Sequence, residues 1–133
     1  MRTESTSENL RRADFLKEYY RINNVSFEQG DIYELGPNLR ADVVLCLGIL
    51  YHVVRPIDLI EFCYKNANKF AVVDTHCHPQ PISAYHVVKG KNPTSDVEGT
   101  RSIELSPTYR AVIDTMQEIG FKDVVEVVGT SDK

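Results

Sequence analysis

The run Asp42–Leu47 (DVVLCL) limits the possible folds of this chain more than any other segment. It is almost continuously apolar and rich in β-branched side chains, which is typical of a strand buried on both faces of a parallel sheet. A second such run, Phe70–Val73, follows a segment in which Pro56 suits the first turn of a helix. The apolar side of that helix comprises Ile57, Ile60, Tyr64 and Ala67. This alternation predicts an α/β fold with a helix-covered, mostly parallel sheet.

Weaker patterns predict the remaining elements. Ser5 and Glu8 have capping-box spacing and open an amphipathic helix that ends near Ile22. Ser106 and Pro107 suit the N-cap and first turn of a late helix that Gly120 closes. Two further strands are predicted at Val25–Glu28 and Val124–Val128, and Pro79–Leu105 is predicted to be a long, lid-like loop with room for a short helix at Ser83–Val88.

Composition bounds the possible partners. A net charge of -4 over 133 residues lacks the basic footprint of a dedicated nucleic-acid binder, so a small-molecule substrate is favoured and a nucleic-acid substrate is not excluded. The cysteines Cys46, Cys63 and Cys77 are odd in number and form no CxxC motif, which favours reduced thiols in a cytoplasmic protein. The polar N-terminus is unlike a signal peptide, and the longest apolar stretch, Val43–Tyr51, is too short to span a bilayer. We therefore expect a soluble, cytoplasmic protein with no membrane partner.

The predicted strand ends locate the candidate site. Ligands of open parallel sheets bind beyond the carboxyl ends of the strands. That rule selects three segments, which are Gly30–Ile32, Gly48–His52 and Asp74–His78. Each carries polar or ionisable side chains that a ligand would require.

Three segments carry a family resemblance, in the expected order and spacing. Cys46–Ile60 (CLGILYHVVRPIDLI) resembles the fourth strand and following helix of class I S-adenosylmethionine-dependent methyltransferases. It is most similar to the family of tRNA wobble-uridine carboxymethyltransferases and their small-molecule relatives. Phe27–Ile32 is similar to the family's third strand and its acidic exit, and Ser106–Phe121 is similar to its late helix with a Gly-Phe ending. The resemblance covers most of residues 6–128.

The resemblance implies a set of cofactor-binding residues. Asp31 would accept a hydrogen bond from the adenine amine of S-adenosylmethionine, and the backbone amide of Ile32 would contact the ring. Leu47 and Gly48 would line the methionyl and sulfonium end, and Tyr51 would face the cofactor. Other interpretations stay open, because Gly-Asp after a strand is ordinary turn chemistry and an aromatic residue at position 51 also suits a helix–sheet core.

The substrate side is predicted at the histidines. A general base is needed when the methyl acceptor arrives protonated, and histidine is the usual choice, so His52 is the candidate catalytic residue. His76 and His78 lie at the next strand end and are candidate substrate-binding residues. Packing at a helix start is the other interpretation of His52. A small metal-dependent enzyme built on His76 and His78 is a weaker alternative, since structural zinc normally needs four ligands.

The chain also departs from the family. No GxGxG-like sequence occurs anywhere in it. Residues 1–133 therefore resemble a partial methyltransferase domain, the second half of the Rossmann-like fold, without its first two strands and its last strand. We expect impaired binding of S-adenosylmethionine by the chain alone, and a non-catalytic remnant or interaction module is the alternative function. Open strand edges recruit other strands. Either the predicted strands Val25–Glu28 and Asp42–Leu47 close up as an antiparallel pair, or two chains exchange elements, and we expect the second outcome, a homo-oligomer.

Overall fold

A computed structural model describes residues 4–34, 39–89 and 103–127. The elements in chain order are α1 (Glu4–Tyr19), β1 (Ala41–Leu47), a 3-10 helix (Leu50–His52), α2 (Pro56–Asn66), β2 (Ala67–Asp74), β3 (Tyr85–Lys89), β4 (Ile103–Pro107) and α3 (Tyr109–Ile119). None of the helices within these ranges is long and apolar enough to cross a membrane.

The two apolar runs form the parallel pair that the sequence predicts. β1 pairs with β2 in register from Val43 opposite Phe70 to Leu47 opposite Asp74. α2 connects the two strands, as a parallel pair requires a crossover. The parallel, helix-connected part of the predicted fold is therefore confirmed.

The core lies between this pair and the two later helices. Cys46 of β1, Leu50, and Leu59, Ile60 and Cys63 of α2 form its buried centre, and side chains of α3 pack against it. Fully burying one leucine or isoleucine contributes about 1.5–3 kcal/mol, so α2 is anchored mainly through Leu59 and Ile60. The helices α2 and α3 thus cover one face of the sheet.

The opposite face of the β1–β2 pair faces solvent. It consists of Val43, Leu45, Leu47, Phe70 and Val72, and Leu45 is 61% exposed. The prediction that Asp42–Leu47 is buried on both faces is wrong for the described residues. The reason is that α1 packs extensively against none of the other elements and leaves its own aromatic side exposed.

Several weaker predictions are also wrong. Val25–Glu28 forms no strand, because no neighbouring strand among the described residues pairs with it and its apolar side chains face solvent. Residues 124–127 are irregular, and position 128 lies outside the described residues. Ala67 begins β2 instead of extending the helix. The predicted short helix at Ser83–Val88 is wrong, because β3 begins there at Tyr85, and the end of the predicted loop at Leu105 lies inside β4, which pairs with β3 in an antiparallel manner. Residues 90–102 of that loop lie outside the described part.

Thr108 is the N-cap of α3, so the prediction of a Ser106–Pro107 cap is wrong by two positions. Its hydroxyl accepts a hydrogen bond from the amide of Ala111 at 3.1 Å and donates to the carbonyl of Ile82 at 2.6 Å. It also accepts from the amide of Ala84 at 3.2 Å. Thr108 is fully buried, and Pro107 before it ends β4. One hydroxyl therefore fixes both the start of α3 and the segment before β3.

Thr108→Ala should lower the free energy of unfolding by about 2 kcal/mol, because losing an N-cap costs about 1 kcal/mol and the part-buried carbonyl of Ile82 and amide of Ala84 also lose their partner. Thr108→Ser keeps the hydroxyl and is the matched control, with a loss of about 1 kcal/mol or less. Urea titration followed by circular dichroism measures both. Equal losses in the two variants would contradict this role of the hydroxyl.

The exchange of elements between two copies stays a prediction. Among the described residues β1 pairs with β2 alone, so its other edge carries unpaired backbone groups. Multi-angle light scattering over a range of concentrations should detect a stable dimer. A monomer at the highest concentration would contradict the prediction.

Candidate functional site

Gly48 marks the point where β1 ends and the candidate site begins. Its amide donates a hydrogen bond to the carbonyl of Asp74 at 2.9 Å, which ties together the carboxyl ends of β1 and β2. Its φ of +65° is left-handed, and a Cβ built there would meet no atom within 4 Å. The backbone conformation therefore favours glycine, and the space in front of Gly48 is open.

The 3-10 helix Leu50–His52 turns the chain across the end of the sheet. Leu50 is fully buried and anchors the turn in the core. The next two side chains, Tyr51 and His52, stay half-buried at the surface. Burial of one residue in three thus orients the two candidate residues.

The structure brings three of the predicted residues together. The ring of Tyr51 lies 4.0 Å from that of His52 and 4.9 Å from that of His76, measured between centroids. His52 follows β1 and His76 follows β2, and the parallel pairing brings both rings into contact with Tyr51 at the same strand ends, as the strand-end rule predicts. His76 is exposed and accessible to a ligand.

His52 has a partner that the sequence analysis missed. Its Nδ1 lies 3.1 Å from Oε1 of Glu104 on β4, and the two side chains are 22% and 11% exposed. The amide of Leu105 donates to the carbonyl of Val53 at 3.0 Å, which holds β4 beside the 3-10 helix. The pair is therefore fixed by backbone contacts as well as by its own hydrogen bond.

Glu104 was missed because Pro79–Leu105 predicts a loop. In the structure β4 turns Glu104 inward, while Ile103 is 49% exposed. This inverts the usual alternation of apolar residues inside and polar residues outside. No sequence pattern indicates that inversion, since Ile-Glu-Leu favours an outward carboxylate.

His78 takes a different partner from His76. Its ring lies 4.4 Å from that of His86 on β3, and the backbone of His78 bridges to Thr108. The described residues contain no group of three or more histidine, cysteine, aspartate or glutamate side chains that would hold a metal ion. The thiol of the intervening Cys77 is not activated, since desolvation and the Glu126 carboxylate raise its pKa.

Asp31 and Ile32 lie in a turn. The Asp31 carboxylate accepts a hydrogen bond from the amide of Tyr33 at 3.0 Å, as in ordinary Asx turns, and Ile32 packs against the core. The Tyr33 hydroxyl donates to the carbonyl of Arg55 at 3.1 Å, which ties this turn to the start of α2. At the end of β1, Leu47 is 56% exposed on the open sheet face.

Comparison with solved structures identifies the fold. The chain is similar to the crystal structure of the N-terminal domain of EvdMO1 in the presence of SAH and D-fucose, with 24% identity, a TM-score of 0.68, and coverage of 86% of this chain and 53% of that one. It is similar to the same domain with SAH bound, with 24% identity, a TM-score of 0.67, and coverage of 86% and 51%. The chain thus shares the fold of an SAH-bound domain and spans about half the length of these structures. No protein-family model matches, and no curated protein sequence matches.

Gly48→Ala should lower the free energy of unfolding by about 1–2 kcal/mol, which is the cost of a left-handed backbone for an alanine. Gly120→Ala is the comparison, because its φ is +123° and its Cβ would meet the Tyr64 hydroxyl at 2.9 Å. We expect a larger loss for Gly120→Ala, since the steric clash adds to the strain. Thermal and urea unfolding measure both values, and an equal or larger loss at Gly48 would contradict the open space described there.

Proposed function

We propose that this chain is an S-adenosylmethionine-dependent methyltransferase domain that acts on a small molecule. The observation that carries the proposal is the cluster of Tyr51, His52 and His76 at the joined ends of β1 and β2. The shared fold supports it, because the similar EvdMO1 domain was crystallised with SAH. Family resemblance at Cys46–Ile60 supports the same activity.

The residues at the end of β1 fit one end of the cofactor. The left-handed Gly48 leaves open space where a side chain would otherwise project, so a ligand can approach the backbone closely. Leu47 and Tyr51 flank this space in sequence and would contact the methionyl part. Asp31 and Ile32 would hold the adenine, which requires the Asp31 carboxylate to exchange its turn hydrogen bond for the ligand's amine.

The fit is incomplete, because the sequence contains no glycine-rich loop of the GxGxG type. Such a loop presents backbone amides at close range, which no other glycine pattern of this chain reproduces. We therefore propose that the chain alone binds S-adenosylmethionine weakly, with a dissociation constant well above micromolar.

The proposed methyl transfer depends mainly on how the chain orients the cofactor and the acceptor. The cofactor, when bound, supplies an electrophilic methyl group, and transfer is an in-line displacement that depends on orientation and exclusion of water. Tyr51 would pack against the cofactor and shield the site, His52 would accept a proton from the acceptor, and His76 would contact the substrate. His78, whose ring lies beside that of His86, is less accessible than His76.

Two observations favour a small-molecule acceptor. The net charge of -4 gives tRNA no electrostatic attraction. In addition, one of the similar EvdMO1 structures was determined in the presence of D-fucose, a small polyhydroxylated molecule. A sugar or another small hydroxyl compound is thus a suitable first acceptor to test.

Titration of the ¹⁵N-labelled chain with millimolar SAH should shift the backbone amide signals of Gly48, Tyr51 and His52, with weak affinity. The physical reason is that the open backbone at Gly48 is the proposed contact. Gly48→Ala is the matched variant, and its added methyl group should weaken the shifts beyond any change in stability. ATP, which carries an adenine but no thioether chain, is the control ligand and should not shift the Gly48 signal.

Two results would separately contradict the proposed cofactor binding and its proposed weak affinity. No shift near Gly48 at saturating SAH would exclude cofactor binding and favour the non-catalytic module. Micromolar or tighter binding, measured by calorimetry, would leave the methyltransferase proposal standing and contradict the impaired affinity.

A further inference from the structure

Glu104 is an unusual residue for a short strand. The residue as a whole, backbone included, is 8% exposed, although carboxylates are almost never buried without a partner. Its partner is Nδ1 of His52 at 3.1 Å, across 52 positions of sequence.

The backbone around Glu104 holds the carboxylate in place. β4 pairs with β3 from Tyr85 opposite Pro107 to Lys89 opposite Ile103. The amide of Leu105 reaches the carbonyl of Val53, next to His52. The carboxylate therefore meets the imidazole without requiring a flexible loop, and its geometry is set before any ligand binds.

A carboxylate beside Nδ1 decides which nitrogen carries the proton. An ionised carboxylate only accepts hydrogen bonds, so the neutral imidazole must place its hydrogen on Nδ1. Nε2 is then left with a lone pair and no hydrogen. In the absence of such a partner, a neutral imidazole favours the opposite tautomer, with the hydrogen on Nε2.

We infer that Glu104 is a positioning residue that fixes His52 in the Nδ1–H tautomer, so that Nε2 is the base for a hydroxyl-bearing methyl acceptor. This inference rests on the proposed methyltransferase function. A hydroxyl is the class of acceptor that needs such a base, because its oxygen is a weak nucleophile while it keeps its proton. An acceptor that already presents a free lone pair on a neutral amine has no such need.

Methyl transfer to a hydroxyl acceptor conserves protons and electrons. The acceptor oxygen forms a bond to the methyl carbon as the carbon–sulfur bond breaks, and that bonding pair stays on sulfur. Nε2 of His52 takes the hydroxyl proton, which gives an imidazolium. The Glu104 carboxylate on the other side of the ring balances this positive charge, and the proton then passes to solvent.

Nitrogen NMR of the histidine side chains tests the inference without any turnover. In the wild-type chain the His52 ring should show a protonated Nδ1 and an unprotonated Nε2 at a pH where the ring is neutral. Glu104→Gln keeps the volume of the side chain but can donate as well as accept, so the ring should shift towards a mixture of tautomers. Glu118→Gln, an exposed change of the same type on α3, should leave the His52 signals unchanged.

Methyl transfer gives the second readout. With millimolar S-adenosylmethionine and a panel of sugars, phenols and amines, release of SAH should occur with hydroxyl acceptors. Glu104→Gln should lower kcat by about tenfold with little change in KM, and His52→Ala by about a hundredfold, as removal of a general base predicts. A rise in KM alone would indicate a binding role for Glu104 instead.

The outcomes separate the two proposals. An Nε2–H tautomer in the wild-type chain, or an unchanged tautomer in folded Glu104→Gln, would overturn the inference whatever the activity. A correct tautomer with no SAH release from any acceptor would instead overturn the proposed function. Release with amines only would reject the hydroxyl class. Backbone spectra of Glu104→Gln verify that the variant is folded.

Discussion

The parallel register of β1 and β2 is the constraint on which the candidate site depends. It places Leu47 opposite Asp74, and the amide of Gly48 closes the last hydrogen bond between the two strand ends. The segment that follows β1 and the segment that follows β2 therefore begin at the same edge of the sheet. Tyr51 and His76 meet there, although they are far apart in the sequence. A one-residue slip would send alternate side chains to the other face and separate the two rings.

The second half of the site comes from a strand that is distant in sequence. β4 does not belong to the β1–β2 pair, and its residue Glu104 contacts His52. Thr108, which follows β4, is the N-cap of α3. The same short segment thus carries a buried carboxyl group and a buried hydroxyl. Both are tolerated because each has hydrogen-bond partners, which is the condition for placing polar groups in a protein interior. Stability and proposed chemistry are therefore linked through residues 103–108.

The sequence predicts the part of this fold that depends on local pattern. The runs Asp42–Leu47 and Phe70–Val73 are apolar enough to identify a parallel pair, and the strand-end rule then brings His52 and His76 together. Prediction from the sequence fails where tertiary contacts, instead of local patterns, determine the structure. The pairing of β3 with β4 is hidden by scattered proline and glycine, and an inward Glu104 contradicts its own local pattern. Val25–Glu28 looks like a strand, but strands need a neighbour as well as a pattern.

The uncovered face of the β1–β2 pair has a thermodynamic consequence for the chain on its own. Side chains such as Leu45 and Phe70 are already hydrated in the folded state, so unfolding adds less new apolar surface than it would for a fully covered sheet. The heat-capacity increment of unfolding grows with that added surface, and so does the slope of stability against denaturant. The isolated chain therefore has a flatter stability curve and a broader transition than its 133 residues would suggest. Any surface that came to cover this face would restore both quantities.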